Sequence, residues 1–135
     1  MVKKILVIED DLDTLDILDY LIQDMHCEVS RSQELIPVDD VISINPDIIL
    51  VDYWLPNGHG SDFCAAVKQH PELNSIPVVL ISTHVKLKSV AEQSCADGYL
   101  EKPFNIDDLE KIIAKVSSQA SLQLSATKAN GAGCV

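Results

Sequence analysis

Unbroken apolar runs alternate along this chain with segments of helical periodicity. Ile5–Ile8, Ile48–Val51 and Ile76–Ile81 are short and rich in branched aliphatic residues, the pattern of strands buried on both faces. Pro77 suits the first residue of such a strand. Gly98–Glu101 predicts a further short strand, and Cys27–Ser30 a weaker one at a sheet edge. Between the runs, Leu12–Met25 places Leu15, Leu18, Leu21, Ile22 and Met25 on one helical face, with Asp13, Asp16, Asp19 and Gln23 mostly outside it. Ser61–His70 predicts a helix with Phe63, Cys64 and Val67 inward, closed by Pro71. Val85–Cys95 predicts another, with Leu87, Val90, Ala91 and Ser94 on one side. A last helix carries Ile106, Leu109, Ile112, Ile113 and Val116; Asn105 caps it, and Asp108 lies in its first turn, where the helix dipole favours an acid. Glu34–Ile44 supports a short helix at best, because Pro37 fits only a first turn and Asn45-Pro46 ends it.

Five strands alternating with five helices predict an α/β fold: a doubly wound parallel sheet with right-handed crossovers and helices on both faces. The expected arrangement is flavodoxin-like, with strand order 2-1-3-4-5. At 135 residues the chain has the length of one domain. Residues 1–117 are expected to form it. From Ser117 onward the composition turns to Ser, Ala, Gly and Thr, which predicts a brief extension of the last helix and then a flexible tail within 118–135.

Charge narrows the partners. Twenty-one acids against 10 bases give a net charge of −11. That disfavours nucleic acid as a direct partner, because binding phosphates needs a basic surface. Lys3-Lys4 before an apolar run imitates the start of a signal peptide, but the run is too short and ends in three acids. No run approaches membrane-spanning length. The four cysteines (Cys27, Cys64, Cys95, Cys134) have no metal-like spacing, as in dispersed thiols of a reducing compartment. Together these features predict a soluble cytoplasmic protein without a membrane partner.

The chemistry gathers at strand ends. Glu9 and Asp10 close the first strand and Asp52 the third, while Ser82 closes the fourth and Lys102 the fifth. Helix capping by Asp11 or Asp13 accounts for some of the acids after Ile8 but not for all of them. In a parallel sheet these ends share one edge, and the order 2-1-3-4-5 sets the first and third strands beside the switch point where open α/β sheets bind ligands. Three carboxylates crowded there cannot all stay ionised cheaply without a cation. Oxygen donors without a rigid cage suit Mg²⁺. The Lys102 ammonium and the Ser82 hydroxyl suit the oxygens of a transferring phosphoryl group, and Asp52 becomes a candidate nucleophile forming an acyl phosphate.

These residues resemble the receiver domain of two-component response regulators, in the single-domain, chemotaxis-type form. The resemblance covers about residues 1–117 and rests on Ile5-Leu6-Val7-Ile8-Glu9-Asp10-Asp11, on Asp52 with Leu55-Pro56 and Gly60, on Ile76 to Ser82, and on Asp97 to Phe104. It implies that Asp52 accepts a phosphoryl group from a phosphohistidine of a sensor kinase. Asp10 would hold Mg²⁺ directly, Glu9 would act through water, and Asp52 and the backbone carbonyl of Trp54 would complete the protein ligands. Ser82 and Lys102 would contact the phosphoryl oxygens. Tyr99 would turn inward as the switch, changing the face formed by the segment 85–95, the strand at 98–101 and the last helix. The Lys102-Pro103 bond is usually cis in this family. Glu9 stands where Asp is commoner, Ser82 where Thr is common, and Thr83 where Ala is frequent; the first two keep the chemistry, and Thr83 crowds the phosphoryl site slightly. Trp54 and His84 flank the site at variable positions: Trp54 could shield an acyl phosphate from water, and His84 could assist a water.

No effector segment is expected after the last helix. The expected output is therefore binding: a phosphorylated face engages a downstream protein, or the domain relays phosphoryl groups to a histidine phosphotransfer protein. The expectation is a switch rather than an enzyme, with Mg²⁺-dependent self-phosphorylation and autodephosphorylation only. Two rivals are a receiver-fold interaction module that never uses phosphate, and a phosphohydrolase of the haloacid dehalogenase type. The latter needs a second aspartate two residues after the nucleophile, where this chain has Trp54.

Overall fold

A computed structural model of the chain describes residues 2–83 and 96–126, with side chains described through 118. The predicted helix at 85–95, His84, and the tail from 127 on lie outside the described residues.

In chain order the elements are β1 (Lys4–Ile8), α1 (Leu12–Asp24), β2 (Glu28–Ser32), α2 (Val38–Ile44), β3 (Ile48–Asp52), β4 (Trp54–Leu55), β5 (Gly58–His59), α3 (Gly60–Gln69), β6 (Val78–Ser82), β7 (Gly98–Glu101) and α4 (Ile106–Ala126). The main sheet runs β2-β1-β3-β6-β7, and every pairing in it is parallel. Leaving out the small β4–β5 hairpin, this is the expected order 2-1-3-4-5.

Alternation along each buried strand divides the core in two. Ile5, Val7, Ile48, Leu50, Val79 and Ile81 face Leu15, Leu18 and Ile22 of α1 and Leu109, Ile113 and Val116 of α4. Leu6, Ile8, Ile49, Val51, Val78 and Leu80 face the other way, onto Val41 of α2 and Phe63, Cys64 and Val67 of α3. The middle residues of β1, β3 and β6 are apolar because both faces of these strands are covered. Among the described residues, the apolar stripes read from helical periodicity are the ones that pack, with one exception. Ile106 is 38% exposed at the start of α4, because the first residue of that helix precedes its contact with the sheet.

Boundaries moved where local chemistry is weak. β2 begins one residue later and ends two later than the sequence pattern suggests. Ile22 and Gln23 carbonyls hold the turn at Met25–Cys27, and His26 there has a positive φ of 64°. Pro77 lies outside β6, its carbonyl accepting from the Ile49 amide. α2 starts only after Pro37 and stops at Asn45 in the left-handed region. Capping follows the sequence: Asp11 accepts from the Thr14 amide at 3.0 Å, and Asn105 and Asp108 cap α4 reciprocally, at 2.8 and 3.2 Å. α4 continues past residue 117 to Ala126.

Candidate functional site

Register brings the strand ends together. Ile8 pairs with Val51, and Asp52 pairs with Ile81, so Glu9, Asp52 and Ser82 follow one another across the carboxyl edge of β1, β3 and β6. Lys102 follows β7, its amide donating to the Ser82 carbonyl at 3.1 Å. The Lys102-Pro103 peptide is cis. Glu9, Asp52 and Ser82 are buried, whereas Asp10 is exposed.

One carboxylate oxygen from each of Glu9, Asp10 and Asp52 lies within 4.8 Å of the others. Lys102 Nζ sits 2.6 Å from Glu9 Oε1 and 3.7 Å from Asp52 Oδ1. The ammonium meets Glu9 Oε1 as a charge partner outside hydrogen-bond alignment, so this fully buried oxygen has no aligned donor. The other Glu9 oxygen accepts from the Asp11 amide at 3.1 Å.

The electrostatics follow from this crowding. Burial, and then the Glu9 carboxylate, push the Asp52 carboxyl up to about 7 from 3.8; Lys102 opposes this, Asp10 adds to it, and the Tyr53 amide opposes it. Burial pulls the Lys102 ammonium down, but the close pairing with Glu9 and the charges of Asp52, Glu9 and Asp10 outweigh it, so its pKa stands above the ordinary value. Three acids against one ammonium leave excess negative charge, two of the carboxylates being buried. A hard divalent cation fits that donor set: oxygen ligands only, the buried Glu9 Oε1 met by a single ammonium, at an edge open enough for the ion to keep waters.

The chain leaves Asp52 through the β4–β5 hairpin, in which Trp54 pairs with His59. Trp54 is 53% exposed. Its ring stands edge-on to Tyr53 and His59, which stack on each other at 5.1 Å. Gly60 then starts α3, its amide donating to the Tyr53 carbonyl at 2.8 Å. A side chain at Gly60 would overlap the Asp52 carbonyl oxygen, so only glycine lets α3 begin this close to β3. Tyr99 lies apart from the acids, half-buried within β7 against the core face shared with α3.

The family description "Response regulator receiver domain" matches residues 5–114. The chain belongs to the receiver-domain family. Among curated relatives of this receiver, the transcriptional regulatory protein KdpE of Staphylococcus aureus is 31% identical over 112 residues, covering 81% of this chain and 47% of that protein. The chain thus spans about half of that relative's length, and the likeness concerns the receiver part. Solved receivers share the fold. The chemotaxis response regulator CheY4 of Vibrio cholerae superposes with a TM-score of 0.74 at 23% identity, covering 86% of this chain and 99% of that one. A response regulator receiver domain protein from Clostridium thermocellum gives 0.79 at 24% identity, with 90% and 98% covered.

Of the residues singled out from sequence, this receiver gathers Glu9, Asp10, Asp52 and Lys102 in one cluster, with Ser82 on the adjoining strand end. Sequence reasoning passed over Gln33 and Asn57, whose side chains bond to the backbone around the site. Asn57 between Pro56 and Gly58 reads only as a turn residue, and nothing local announces a partner 22 positions away. Among the described residues no helix is long and apolar enough to cross a membrane.

Proposed function

We propose that this receiver is a phosphoryl-accepting switch that takes a phosphoryl group from a sensor kinase phosphohistidine onto Asp52. An Asp52 oxygen forms the bond to phosphorus while the bond from phosphorus to the donor imidazole breaks, its electron pair returning to the ring nitrogen. Glu9, Asp10, Asp52 and the Trp54 carbonyl would hold Mg²⁺. Bound there, the ion supplies positive charge to the carboxylates and to the phosphoryl oxygens. Lys102 leaves its pairing with Glu9 to meet a phosphoryl oxygen, and the Ser82 hydroxyl donates to another. Tyr99, three residues before Lys102, carries the change to the face made by β7 and α4. The observation supporting this reading best is the convergence of three carboxylates and Lys102 at one sheet edge, with the Asp52 carboxyl pushed up to about 7.

Such a domain turns over no separate substrate; its only chemistry is gain and loss of its own phosphoryl group. The output is a protein contact, either a downstream target or a histidine phosphotransfer partner. A charge of −11 opposes DNA as a direct ligand of this domain. The test is incubation with Mg²⁺ and acetyl phosphate, followed by mass spectrometry. A gain of one phosphoryl group, abolished by Asp52→Asn and by chelation, supports the reading. No gain with acetyl phosphate or a phosphorylated kinase leaves a phosphate-independent interaction module.

A further inference from the structure

The end of β2 and the short segment after it touch both the loop carrying Glu9 and Asp10 and the hairpin that follows Asp52. The Glu9 amide donates to the Ser32 carbonyl at 3.0 Å, and Gln33 Nε2 donates to the Asp10 carbonyl at 3.1 Å. Two residues on, Asn57 clasps the backbone of Leu35: the Leu35 amide donates to Asn57 Oδ1 at 2.9 Å, and Asn57 Nδ2 donates to the Leu35 carbonyl at 3.0 Å. Asn57 sits in the turn of the β4–β5 hairpin that carries the chain out of Asp52. Ser32 shapes the piece in between, its hydroxyl donating to the Glu34 carbonyl at 2.6 Å and accepting from the Glu34 amide at 3.2 Å. Gly58, with φ at +151°, closes the contact; a β-carbon there would come within 3.0 Å of Leu35 Cδ1.

We propose that Gln33 and Asn57 are positioning residues: with the segment Ser32–Leu35 they brace the loop carrying Glu9 and Asp10 against the hairpin that follows Asp52. The inference rests on the Mg²⁺-binding reading above and adds to it two residues that offer no atom to the ion. The physical need is plain. Three like charges repel: Glu9 and Asp10 come from the loop after β1, while Asp52 ends β3 and leads into the β4–β5 hairpin, so an unbraced loop swings away from that hairpin and must be ordered when a cation binds. A brace removes that ordering cost beforehand. Partners that orient ligands from behind commonly set metal affinity by roughly 10- to 100-fold. Gln33 and Asn57 are both exposed, and exposed hydrogen bonds add little net stability. Loss of the brace therefore registers in metal affinity far more than in folding.

The experiment titrates MgCl₂ into the wild type, Asn57→Ala, Gln33→Ala, the double variant and a control, Gln23→Ala. The Gln23 side chain bonds to Asp19 on the outer face of α1. Fluorescence of Trp54, the chain's one tryptophan, and calorimetry report binding; urea midpoints report folding. Asn57→Ala is expected to bind Mg²⁺ about tenfold more weakly, Gln33→Ala several-fold more weakly, and the double variant no more weakly than the worse single one, since either change cuts the same brace. Urea midpoints should stay close to that of the control. Unchanged affinity in Asn57→Ala, or losses in proportion to the fall in urea midpoint, overturns the brace. Should the wild type itself bind no Mg²⁺, the metal reading falls, and the brace is decided by amide exchange without metal. Asn57→Ala must then speed exchange at Asp11, whose amide binds Glu9 Oε2 within the braced loop; unchanged exchange there overturns it.

Discussion

Replacing Asp52 with asparagine should stabilise this protein, and by an amount that grows with pH. The native Asp52 carboxyl is pushed up to about 7 from 3.8 by burial and by Glu9. The folded chain therefore holds this proton more tightly than the unfolded chain does. Between those two values folding takes up a proton, so native stability falls as pH rises through that window and stays reduced above it. Each unit corresponds to about 1.4 kcal/mol, so the cost of an ionised Asp52 is on the order of 4 kcal/mol at pH 8 and on the order of 2 kcal/mol at pH 5. Water at the open sheet edge screens part of this difference. The amide introduced by Asp52→Asn keeps the shape of the side chain and carries no charge, so the variant should gain roughly 2 kcal/mol more over wild type at pH 8 than at pH 5. Urea unfolding of both proteins at the two pH values, with chelator present, measures this directly. Adding Mg²⁺ should raise wild-type stability and flatten its dependence on pH, while affecting the variant far less. A gain that is equal at pH 5 and pH 8, or an Asp52→Asn variant less stable than wild type at pH 8, would refute the electrostatic reasoning.

Other expectations follow from particular contacts. Gly60→Ala should destabilise by about 1–3 kcal/mol, because the new methyl overlaps the Asp52 carbonyl and α3 must shift; its phosphorylation by acetyl phosphate should slow in parallel, and a variant matching wild type in both would show that the helix start yields freely. Lys68→Met should cost about 3 kcal/mol, since it leaves the nearly buried Asp97 carboxylate, 2.6 Å from Lys68 Nζ, without its cation. That loss, read by thermal unfolding, should leave phosphorylation untouched, because the pair lies at the opposite end of the sheet from Asp52. Trp54→Ala should shorten the lifetime of the phosphorylated form several-fold if the indole keeps water from the acyl phosphate; an unchanged dephosphorylation rate removes that role.

Much of this receiver was legible in its sequence, for an identifiable reason. A strand covered on both faces must be apolar at every position, so β1, β3 and β6 announce themselves without reference to any partner. The acids and the lysine at the strand ends are equally visible, because nothing in a buried strand calls for Glu9, Asp52 or Lys102. Helix faces and both caps at Asp11 and Asn105 are local chemistry, settled within a few residues.

What the chain could not reveal by itself depends on distance through space. The Asp52 carboxyl is pushed upward by its own burial and then by Glu9, far earlier in the chain, and both are properties of the assembled sheet. Lys102 lies nearer Glu9 than Asp52, at 2.6 against 3.7 Å, a choice set only where β1, β3 and β7 meet at one edge. Gly60 is compulsory only because α3 starts against the Asp52 carbonyl. The clasp of Asn57 on Leu35 joins two turns that local sequence reads as independent. Sequence by itself determined which residues could do chemistry and that one sheet edge would collect them. Tertiary structure decided how crowded, how dry and how firmly held they are, because desolvation, charge repulsion and bracing are all sums over neighbours that only folding supplies.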